Sequence, residues 1–331
     1  MAAEQSGADF VIGPLGADYA NNVSSVSDRR LPTLLLGGDS QLNSSTSRLS
    51  LSPEQEGRAV AERAWRDGHL SAAILSSESK THQRTVRAFQ QQWLNLGGKI
   101  SGTTSYSPQQ YDHSVELKQL FAVNQSQYRH NRISSTLGFK PKFSSYQRAD
   151  IDFIFMLANN KTGRLVRPQI NFFTGSKIPV YATSGVFNGI RDVVENFDLN
   201  GTRFPAMPWE LQSIDVAPYA GQLNRLFALG SDAYSLAGNY SKLSTDPNIS
   251  IKGRTGDISI GVYGEALIKP IWARFKEGEV VAEELSELDI DAVRSLNRGS
   301  RFNRNVKGNY NGSNSKTYNS SSWDPTKAKP K

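Results

Sequence analysis

The sequence contains no cysteine in 331 residues and no long apolar run. Without cysteine the chain cannot form a disulfide scaffold, a thiolate zinc site or a thiol nucleophile. No window approaches the roughly 18 consecutive apolar residues that a membrane-spanning helix needs. A transmembrane segment is therefore excluded, whereas the compartment stays open, because cytosolic and periplasmic proteins alike can lack cysteine.

Signatures of nucleotide binding and catalysis are also missing. No GxGxxG or Walker sequence follows a predicted strand. Ser77–Lys80 and Lys161–Gly163 match the SxxK and KTG motifs of acyl-serine enzymes, but no Ser-Asp-Asn accompanies them and KTG falls in a loop. The four histidines lie in separate segments, without ligand spacing, and are typical of surface or loop residues. We predict no catalytic, metal or cofactor site and no enzymatic activity.

The net charge of +7 is concentrated at the C-terminal end of the sequence. Residues 294–331 carry nine basic groups and one acidic group, which leaves 29 basic and 30 acidic groups in residues 1–293. The segment 286–331 is rich in Asn and Ser and poor in aliphatic residues, so we predict a disordered basic tail. The nearly neutral body gives no indication of a specific nucleic-acid partner.

Aromatic residues are spaced among the basic residues of the tail. This pattern is typical of segments that bind RNA, acidic glycans or anionic lipid. The alternative interpretation is a non-specific solubilising extension.

Short apolar runs alternate with helical patterns along the body. Ser52-Pro53-Glu54-Gln55, for example, has an N-cap serine, proline at the first helical position and a capping-box glutamine. The predicted strands are 8–15, 31–36, 71–75, 151–157, 178–182, 201–208, 249–252, 257–262 and 270–275, and the predicted helices are about 53–67, 81–96, 113–121, 163–173 and 220–240. This alternation predicts a doubly wound parallel α/β fold with two lobes.

In such folds the ligand crevice lies at the carboxyl ends of the strands. The polar and glycine residues that follow the predicted strands are the candidate crevice residues. They are Gly13, Asp39, Ser40, Ser76, Ser77, Glu78, Thr183 and Ser184.

Two further segments are candidates for contact with a partner protein. One is the turn Met207-Pro208-Trp209-Glu210, for which packing of Trp209 between the lobes is the alternative. The other is the Arg/Tyr-rich stretch 128–148, with Tyr128, Arg129, Arg132 and Arg148, for which a solvated face is the alternative. Arg and Tyr are enriched at protein interfaces.

Several blocks of residues 5–281 together resemble the LpoA (LppC) family, the outer-membrane lipoprotein activators of penicillin-binding proteins. The blocks are Gly7–Leu15, Leu51–Glu54, Ala64–Gly68, Phe89–Trp93 with Gly97-Gly98, Ala149–Phe155, Arg167–Ile170, Pro179–Ser184, Asp198–Gly201, Met207–Trp209, Gly230–Tyr234 and Gly253–Gly256. The resemblance implies a type I periplasmic-binding-protein fold. By analogy, residues 1–68 and about 220–243 would form the first lobe, and residues 69–207 and about 249–285 the second.

The resemblance also implies a function without catalysis. A family member activates the transpeptidase of a bifunctional class A penicillin-binding protein by direct contact, from the outer-membrane side of the periplasm. The alternative is a periplasmic receptor that binds an amino-acid-like solute in the crevice. Under either interpretation, an envelope role would make an anionic surface or glycan the partner of the tail at 294–331.

The start of the sequence departs from the family pattern. The first strand–helix–strand unit of the family's domain, a signal peptide and a lipobox cysteine have no counterpart in this sequence. We expect this to leave an apolar sheet edge at residues 9–12, and therefore self-association or poor solubility of the isolated chain.

Overall fold

The computed structural model describes residues 6–24, 31–139, 148–212 and 221–283. Within these ranges the strands are β1 (Val11–Leu15), β2 (Thr33–Leu36), β3 (Thr46–Arg48), β4 (Ser71–Ser77), β5 (Lys99–Tyr106), β6 (Phe153–Leu157), β7 (Val180–Ala182), β8 (Thr202–Ala206), β9 (Ile251–Lys252), β10 (Asp257–Ile260), β11 (Ala266–Lys269), β12 (Ile271–Lys276) and β13 (Glu279–Ala282). The helices are α1 (Ala17–Ser24), α2 (Pro53–Arg66), α3 (Lys80–Asn95), α4 (Ser114–Leu120), α5 (Val123–Leu137), α6 (Asn160–Thr174), α7 (Val193–Asn196), α8 (Pro208–Gln212) and α9 (Gln222–Thr245).

The large lobe is built on a seven-stranded sheet in the order β13-β12-β8-β7-β6-β4-β5. Strands β5, β4, β6, β7 and β8 run parallel, and β12 and β13 complete the sheet antiparallel to them. Every residue of β6 is buried, because helices cover both faces of the sheet. One face packs Val60, Ala64 and Trp93 of α2 and α3, and the other packs Leu117 and Val166 of α4 and α6. The predicted doubly wound architecture is thereby confirmed.

The small lobe combines two three-stranded sheets with the long helix α9. Strands β1, β2 and β3 are parallel, with β2 in the centre, and β9, β10 and β11 are antiparallel, with β10 in the centre. Leu229, Leu236 and Leu243 of α9 pack with Leu34 of β2 and Ile258 of β10 in one apolar core.

This packing differs from the lobes assigned by analogy in two places. Helix α2, expected in the first lobe, packs on α3 and the large sheet, because Val60 and Ala64 share a core with Ile74 and Phe155. Strands β9–β11, expected in the second lobe, pack on α9 in the small lobe, because Ile258 and Ile260 face Leu229 and Leu236. The predicted tail 286–331 lies outside the described residues.

Helix starts follow the local signals in the sequence. The Ser52 hydroxyl accepts a hydrogen bond from the Gln55 N–H at 3.4 Å, and Pro53 occupies the first turn, which confirms the predicted start of α2. Ser79 caps α3 in the same way through the His82 N–H, at 3.1 Å. At Gly57 the two helices approach so closely that an added Cβ would lie 2.6 Å from the Thr85 carbonyl oxygen.

Three connections carry the chain between the lobes, and they converge at one place. Residues 50–52 lead from the small lobe to α2, residues 205–207 leave β8, and residues 268–270 lead from β11 to β12. All three line one small cavity of about 40 Å³, together with Ser184 and Thr255. The lobes are therefore joined by a single cluster of adjacent segments.

Candidate functional site

The predicted crevice residues do not form one surface. Asp39 and Ser40 line a large cavity beside the β2–β3 loop. Ser76, Ser77, Thr183 and Ser184 are buried instead, and none of the four lines that cavity. Glu78, which follows β4, and Gly13, which lies within β1, do not line that cavity either.

Ser77 is engaged in a hydrogen bond within the large lobe. The Ser77 hydroxyl lies 2.7 Å from His82 Nδ1. Burial lowers the pKa of His82. The sequence places these serines correctly at strand ends, but a strand end in a tightly packed sheet is closed off by the helix that follows it.

The large cavity has a volume of about 1140 Å³, and its lining combines polar and apolar surface. Its walls are the β2–β3 loop, the first turns of α2, and the turn at residues 260–265. Its ionisable side chains are balanced, three basic and three acidic, namely Arg48, Arg58, Arg84, Asp39, Glu54 and Glu265.

Two of the cavity arginines are fixed by contacts inside the protein. The Arg48 side chain donates to the carbonyl oxygens of Gly37, at 3.1 Å, and of Ser40. Arg84 Nε lies 2.5 Å from Glu54 Oε1. Burial of Glu54 acts to raise its pKa, whereas hydrogen bonds from Arg84 and Ser52 act to lower it. The net result is a lowered pKa. This arrangement suits a polar solute that carries charges of both signs.

A buried polar network joins the two lobes near their connections. Arg225 of α9 reaches Glu210 Oε1 at 2.7 Å and both the hydroxyl and the carbonyl oxygen of Ser184, each at 2.9 Å. Ser184 in turn donates its N–H and its hydroxyl to the Glu56 carboxylate of α2, at 3.0 and 2.5 Å. Burial raises the pKa of Glu210, and the charge of Arg225 opposes that shift.

This network corrects the prediction that Glu210 contacts a partner. Glu210 is only 1% exposed, and its carboxylate is turned inward to Arg225. Met207 is buried as well. Of the turn 207–210, therefore, only the half-buried Pro208 and Trp209 reach the surface.

Trp209 belongs to a stacked cluster on the small lobe. Its indole N–H donates to Asn224 Oδ1 at 2.6 Å, and the Arg254 guanidinium lies 4.1 Å from the centre of its ring. Phe227 packs alongside, with ring centroids 5.4 Å apart. Asp232 fixes the backbone on which Arg254 lies, because it accepts the N–H groups of Arg254 and Thr255 at 2.7 Å each.

Helix α5 extends the Arg/Tyr-rich stretch away from the core. Tyr128 is 69% exposed, and Arg129 and Arg132 are exposed as well. The helix contains no acidic residue, and its apolar side chains Ile133 and Leu137 are also exposed. The result is a helix with basic and apolar side chains turned to solvent.

Arg148, predicted to belong to the same surface, is held elsewhere. Its guanidinium donates to both oxygens of Asp150 at 2.6 Å and to the Ser101 carbonyl oxygen at 2.5 Å. Its N–H donates to the Phe121 carbonyl oxygen, just before α5 begins. Arg148 therefore fixes the base of the helix, and its guanidinium is occupied by these contacts.

No motif in the sequence marks Arg225, Phe227, Asp232 or Arg254 as a site residue. Asp232 and Arg254 fall in two of the blocks that resemble the family, Gly230–Tyr234 and Gly253–Gly256, where polar residues stand beside glycines. An aspartate within the apolar pattern of α9 was the available signal for Asp232, because a buried carboxylate needs several donors.

The described residues contain no group of three or more His, Asp or Glu placed to hold a metal ion. Nor does any described helix combine the length and hydropathy required to cross a bilayer.

Comparison with known proteins identifies the family. The profile of the family described as "LppC putative lipoprotein" matches residues 1–278. The chain belongs to the LppC family.

Curated relatives in this family carry the name penicillin-binding protein activator LpoA. The protein of that name from Photobacterium profundum is 28% identical over 273 residues, which are 78% of this chain and 44% of the relative. The one from Pectobacterium parmentieri is 27% identical over 311 residues, 84% of this chain and 45% of the relative. The chain spans about half the length of the curated relatives it matches.

Solved structures show the same fold. The LpoA (YraM) C-domain of Haemophilus influenzae, described as a regulator of PBP1A, superposes with a TM-score of 0.66 at 18% identity, covering 86% of this chain and 84% of that domain. The leucine-binding protein LivK of Thermotoga maritima gives a TM-score of 0.50 at 17% identity and covers 86% and 81%. The LppC chain thus has a type I periplasmic-binding-protein-like architecture, as the sequence resemblance implied.

Proposed function

We propose that this LppC chain regulates peptidoglycan synthesis by binding and activating a bifunctional class A penicillin-binding protein. The observation that carries the proposal is its family membership, with relatives named penicillin-binding protein activators over 78 to 84% of the chain. The solved C-domain described as a regulator of PBP1A shares its fold.

The proposed mechanism requires no chemistry in this chain. A regulator that binds an active conformation of the synthase more tightly than an inactive one shifts the population toward the active form. The size of the shift is set by the difference between the two affinities. A rigid scaffold that presents an exposed docking element is sufficient for this role.

Helix α5 is the proposed docking element, through Tyr128, Arg129 and Arg132. These side chains are exposed on a helix without acidic residues, so they suit an acidic patch on the synthase. Pro208 and Trp209 form a second, smaller candidate contact. Arg148 acts by holding the base of α5 through Asp150 and Ser101.

The test compares two double variants in pull-down and transpeptidase-stimulation assays with the synthase. We expect Arg129→Ala/Arg132→Ala to weaken binding at least about tenfold, because each charged contact at an interface contributes on the order of 1 kcal/mol or more. Arg66→Ala/Arg87→Ala is the matched control, since both arginines are exposed on α2 and α3. Unchanged binding by the first variant would remove α5 from the interface. Absence of any binding by the unaltered chain would contradict the function itself.

A solute receptor is the second candidate function, and the cavity of about 1140 Å³ favours it. Its mixed charges suit an amino-acid-like or peptide ligand. A thermal-shift screen with amino acids and muropeptides tests this candidate. A ligand that raises Tm in the unaltered chain but not in Arg58→Ala would support it, and no shift with any ligand would count against it.

We also propose that the protein acts in the periplasm and associates with the outer membrane, as the lipoprotein description of its family suggests. Cell fractionation with an antibody to the chain tests the location, and recovery in the cytosolic fraction would contradict it.

We propose separately that the basic tail binds an anionic envelope surface or glycan. Deleting residues 294–331 removes a net charge of +8 and should weaken the dependence of envelope association on salt concentration. An unchanged salt dependence would exclude the tail from this contact.

A further inference from the structure

The polar network between the lobes contains two carboxylates and one guanidinium. Glu210 of α8 accepts a hydrogen bond directly from Arg225 of α9, at 2.7 Å. Glu56 of α2 is joined to Arg225 through Ser184, which donates its N–H and hydroxyl to Glu56 and accepts from Arg225 at its hydroxyl and carbonyl oxygens. We call these four residues the interlobe network. With both carboxylates ionised, two negative charges and one positive charge give it a net charge of −1.

The other charged residues beside α8 are engaged elsewhere. On β13, which packs against α8, Glu279 pairs with Arg191 at 2.6 Å. On the turn between β9 and β10, the Arg254 guanidinium lies over the neighbouring indole ring, 4.1 Å from its centre. Of the charges on the described residues, those of Arg225 and of the second carboxylate act most strongly on Glu210. The excess negative charge therefore stays within the interlobe network.

Glu210 lies where an ionised carboxylate is unfavourable. Its residue is only 1% exposed, and burial raises its pKa above the ordinary value of 4.5. The charge of Arg225 and its hydrogen bond oppose this shift, whereas the charge of Glu56 adds to it. The pKa of Glu210 is raised overall, so in this arrangement the carboxylate takes up a proton at a higher pH than it would in water.

The interlobe network lies at the junction of the two lobes. Glu56 and Ser184 belong to the large lobe, Arg225 belongs to the small lobe, and Glu210 follows the connection formed by residues 205–207. Glu56 and Ser184 also line the small cavity of about 40 Å³ at which the three connections meet. Separation of the lobes at this junction would draw Arg225 away from Ser184 and bring both carboxylates into water. In such an open arrangement the Glu210 carboxyl would regain its ordinary pKa.

We propose that the interlobe network is a pH-sensitive contact, which holds the lobes closed when one of its two carboxylates is protonated. A single proton leaves one anion facing one cation, so the buried junction becomes neutral. The arrangement that binds this proton more tightly gains population as the pH falls.

The direction of the pH dependence follows from the raised pKa of Glu210 in the closed arrangement. The contribution of the proton to closure is complete below pH 4.5, the ordinary value, and is lost as the pH rises through the raised pKa. Each pKa unit that separates the closed from the open arrangement changes the ratio of closed to open molecules about tenfold.

The absence of cysteine allows the distance between the lobes to be measured directly. Spin labels on Gln91→Cys of α3 and Ser241→Cys of α9, both exposed positions, report on the large and the small lobe. By double electron–electron resonance we expect two distance populations at about pH 8, and a shift toward the distance of the closed structure as the pH is lowered. An unchanged distribution, or opening of the lobes on acidification, would overturn the proposal.

Two amide substitutions assign the effect to the interlobe network. Glu210→Gln resembles the protonated side chain, so it should hold the lobes closed over the whole pH range. Glu56→Gln removes the excess negative charge and should also reduce the open population at high pH. Glu279→Gln is the matched control, since this carboxylate lies on β13 beside α8 but pairs with Arg191, and it should leave the pH dependence in place. A pH dependence that persists unaltered in Glu210→Gln would contradict the proposal.

The titration of the Glu210 carboxyl itself is a second, direct measurement. Carbon-13 NMR of glutamate-labelled chain should show a midpoint above 4.5, and a midpoint at or below that value would overturn the proposal as well. Circular dichroism at each pH establishes that the variants are folded. Histidine side chains titrate in the same range, but they are common to all variants and cancel in the comparison. None of these experiments includes the synthase, so their outcome is independent of the proposed function.

Discussion

Asp232 lies within the core of the small lobe, where its carboxylate accepts three hydrogen bonds. The donors are the N–H groups of Arg254 and Thr255 and the Thr255 hydroxyl, at 2.6 to 2.7 Å. Burial raises the pKa of Asp232, and these hydrogen bonds oppose the shift. The carboxylate therefore joins α9 to the turn that carries Arg254.

Replacement of Asp232 by alanine should cost about 2 to 4 kcal/mol of unfolding free energy, because three donors lose their buried acceptor. Urea denaturation measures the loss. Asp257→Ala is the control, since its ion pair with Lys252 is solvent-exposed and should contribute no more than about 1 kcal/mol. Equal losses in the two variants would contradict the role of Asp232.

His113 was predicted as a surface or loop residue, yet its side chain is buried. Neither ring nitrogen has a hydrogen-bond partner in the described structure. Burial lowers the pKa of His113, although the charges of Glu116 and Asp112 raise it. A histidine in a sequence does not show whether its ring is buried or exposed. The ring can pack against an aromatic neighbour, as His113 does against Tyr106, or it can face water.

The lowered pKa of His113 makes stability depend on pH. Below its ordinary pKa of about 6.5, the unfolded chain takes up a proton that the folded chain resists, so stability falls as pH falls through that value. Burial lowers the pKa of His69 and His82 too, which adds to the trend.

We expect Tm and the free energy of unfolding to fall between pH 7 and pH 5. In His113→Leu, the loss of unfolding free energy should be smaller by up to about 1.4 kcal/mol per pH unit. Calorimetry across this range measures it. His130→Gln, on the exposed helix α5, is the comparison. A slope that His113→Leu leaves unaltered would show that His113 does not titrate in this way.

At the scale of elements, α2 and α3 lie close together at Gly57. An added Cβ would lie 2.6 Å from the Thr85 carbonyl oxygen and 3.2 Å from the Phe89 nitrogen, both backbone atoms of α3. Backbone atoms cannot move out of the way by a change of rotamer, as a side chain can, so the helices would have to move apart.

Gly57→Ala should therefore lose about 1 to 3 kcal/mol through overpacking, despite the gain of about 1 kcal/mol that alanine usually brings to a helix. Chemical denaturation distinguishes a loss from a gain. Gln91→Ala, on the exposed side of α3, should change stability by no more than about 0.5 kcal/mol. A stabilised Gly57→Ala variant would mean that the helices are less tightly packed than described.

The elements that the sequence predicts best are those with apolar runs or caps. The run at 151–157 becomes β6, and the Ser52-Pro53 signal becomes the start of α2. Strand β5 was missed because Lys99–Tyr106 lies at the sheet edge and contains polar residues along its length. The short strands β3, β11 and β13 were also missed, because three or four residues provide no periodicity to detect.

At the scale of the whole molecule, Arg225 connects the small lobe with the large one. It leaves α9 and bonds to Ser184 of the large lobe and to Glu210 between them. The assignment of elements to lobes could not be predicted from sequence alone, because an apolar helix face such as that of α2 fits either sheet until their geometry is known.

Arg225→Met leaves the buried Glu210 carboxylate without its cation and should cost about 3 to 5 kcal/mol. We expect one calorimetric transition for the unaltered chain and two for this variant, because the lobes lose their shared network. The double variant Arg225→Met/Glu210→Gln should recover part of the loss, because the uncompensated charge is gone. One sharp transition with unchanged Tm in the single variant would contradict this coupling.

The three connections that meet at the small cavity also determine how the lobes move. Sliding one lobe along the other, or twisting it about the axis that joins them, stretches at least one connection. Rotation about the place where residues 50–52, 205–207 and 268–270 meet stretches them least. We therefore expect the lobes to move relative to each other as about a hinge, and a distance between probes on α5 and α9 would follow that motion.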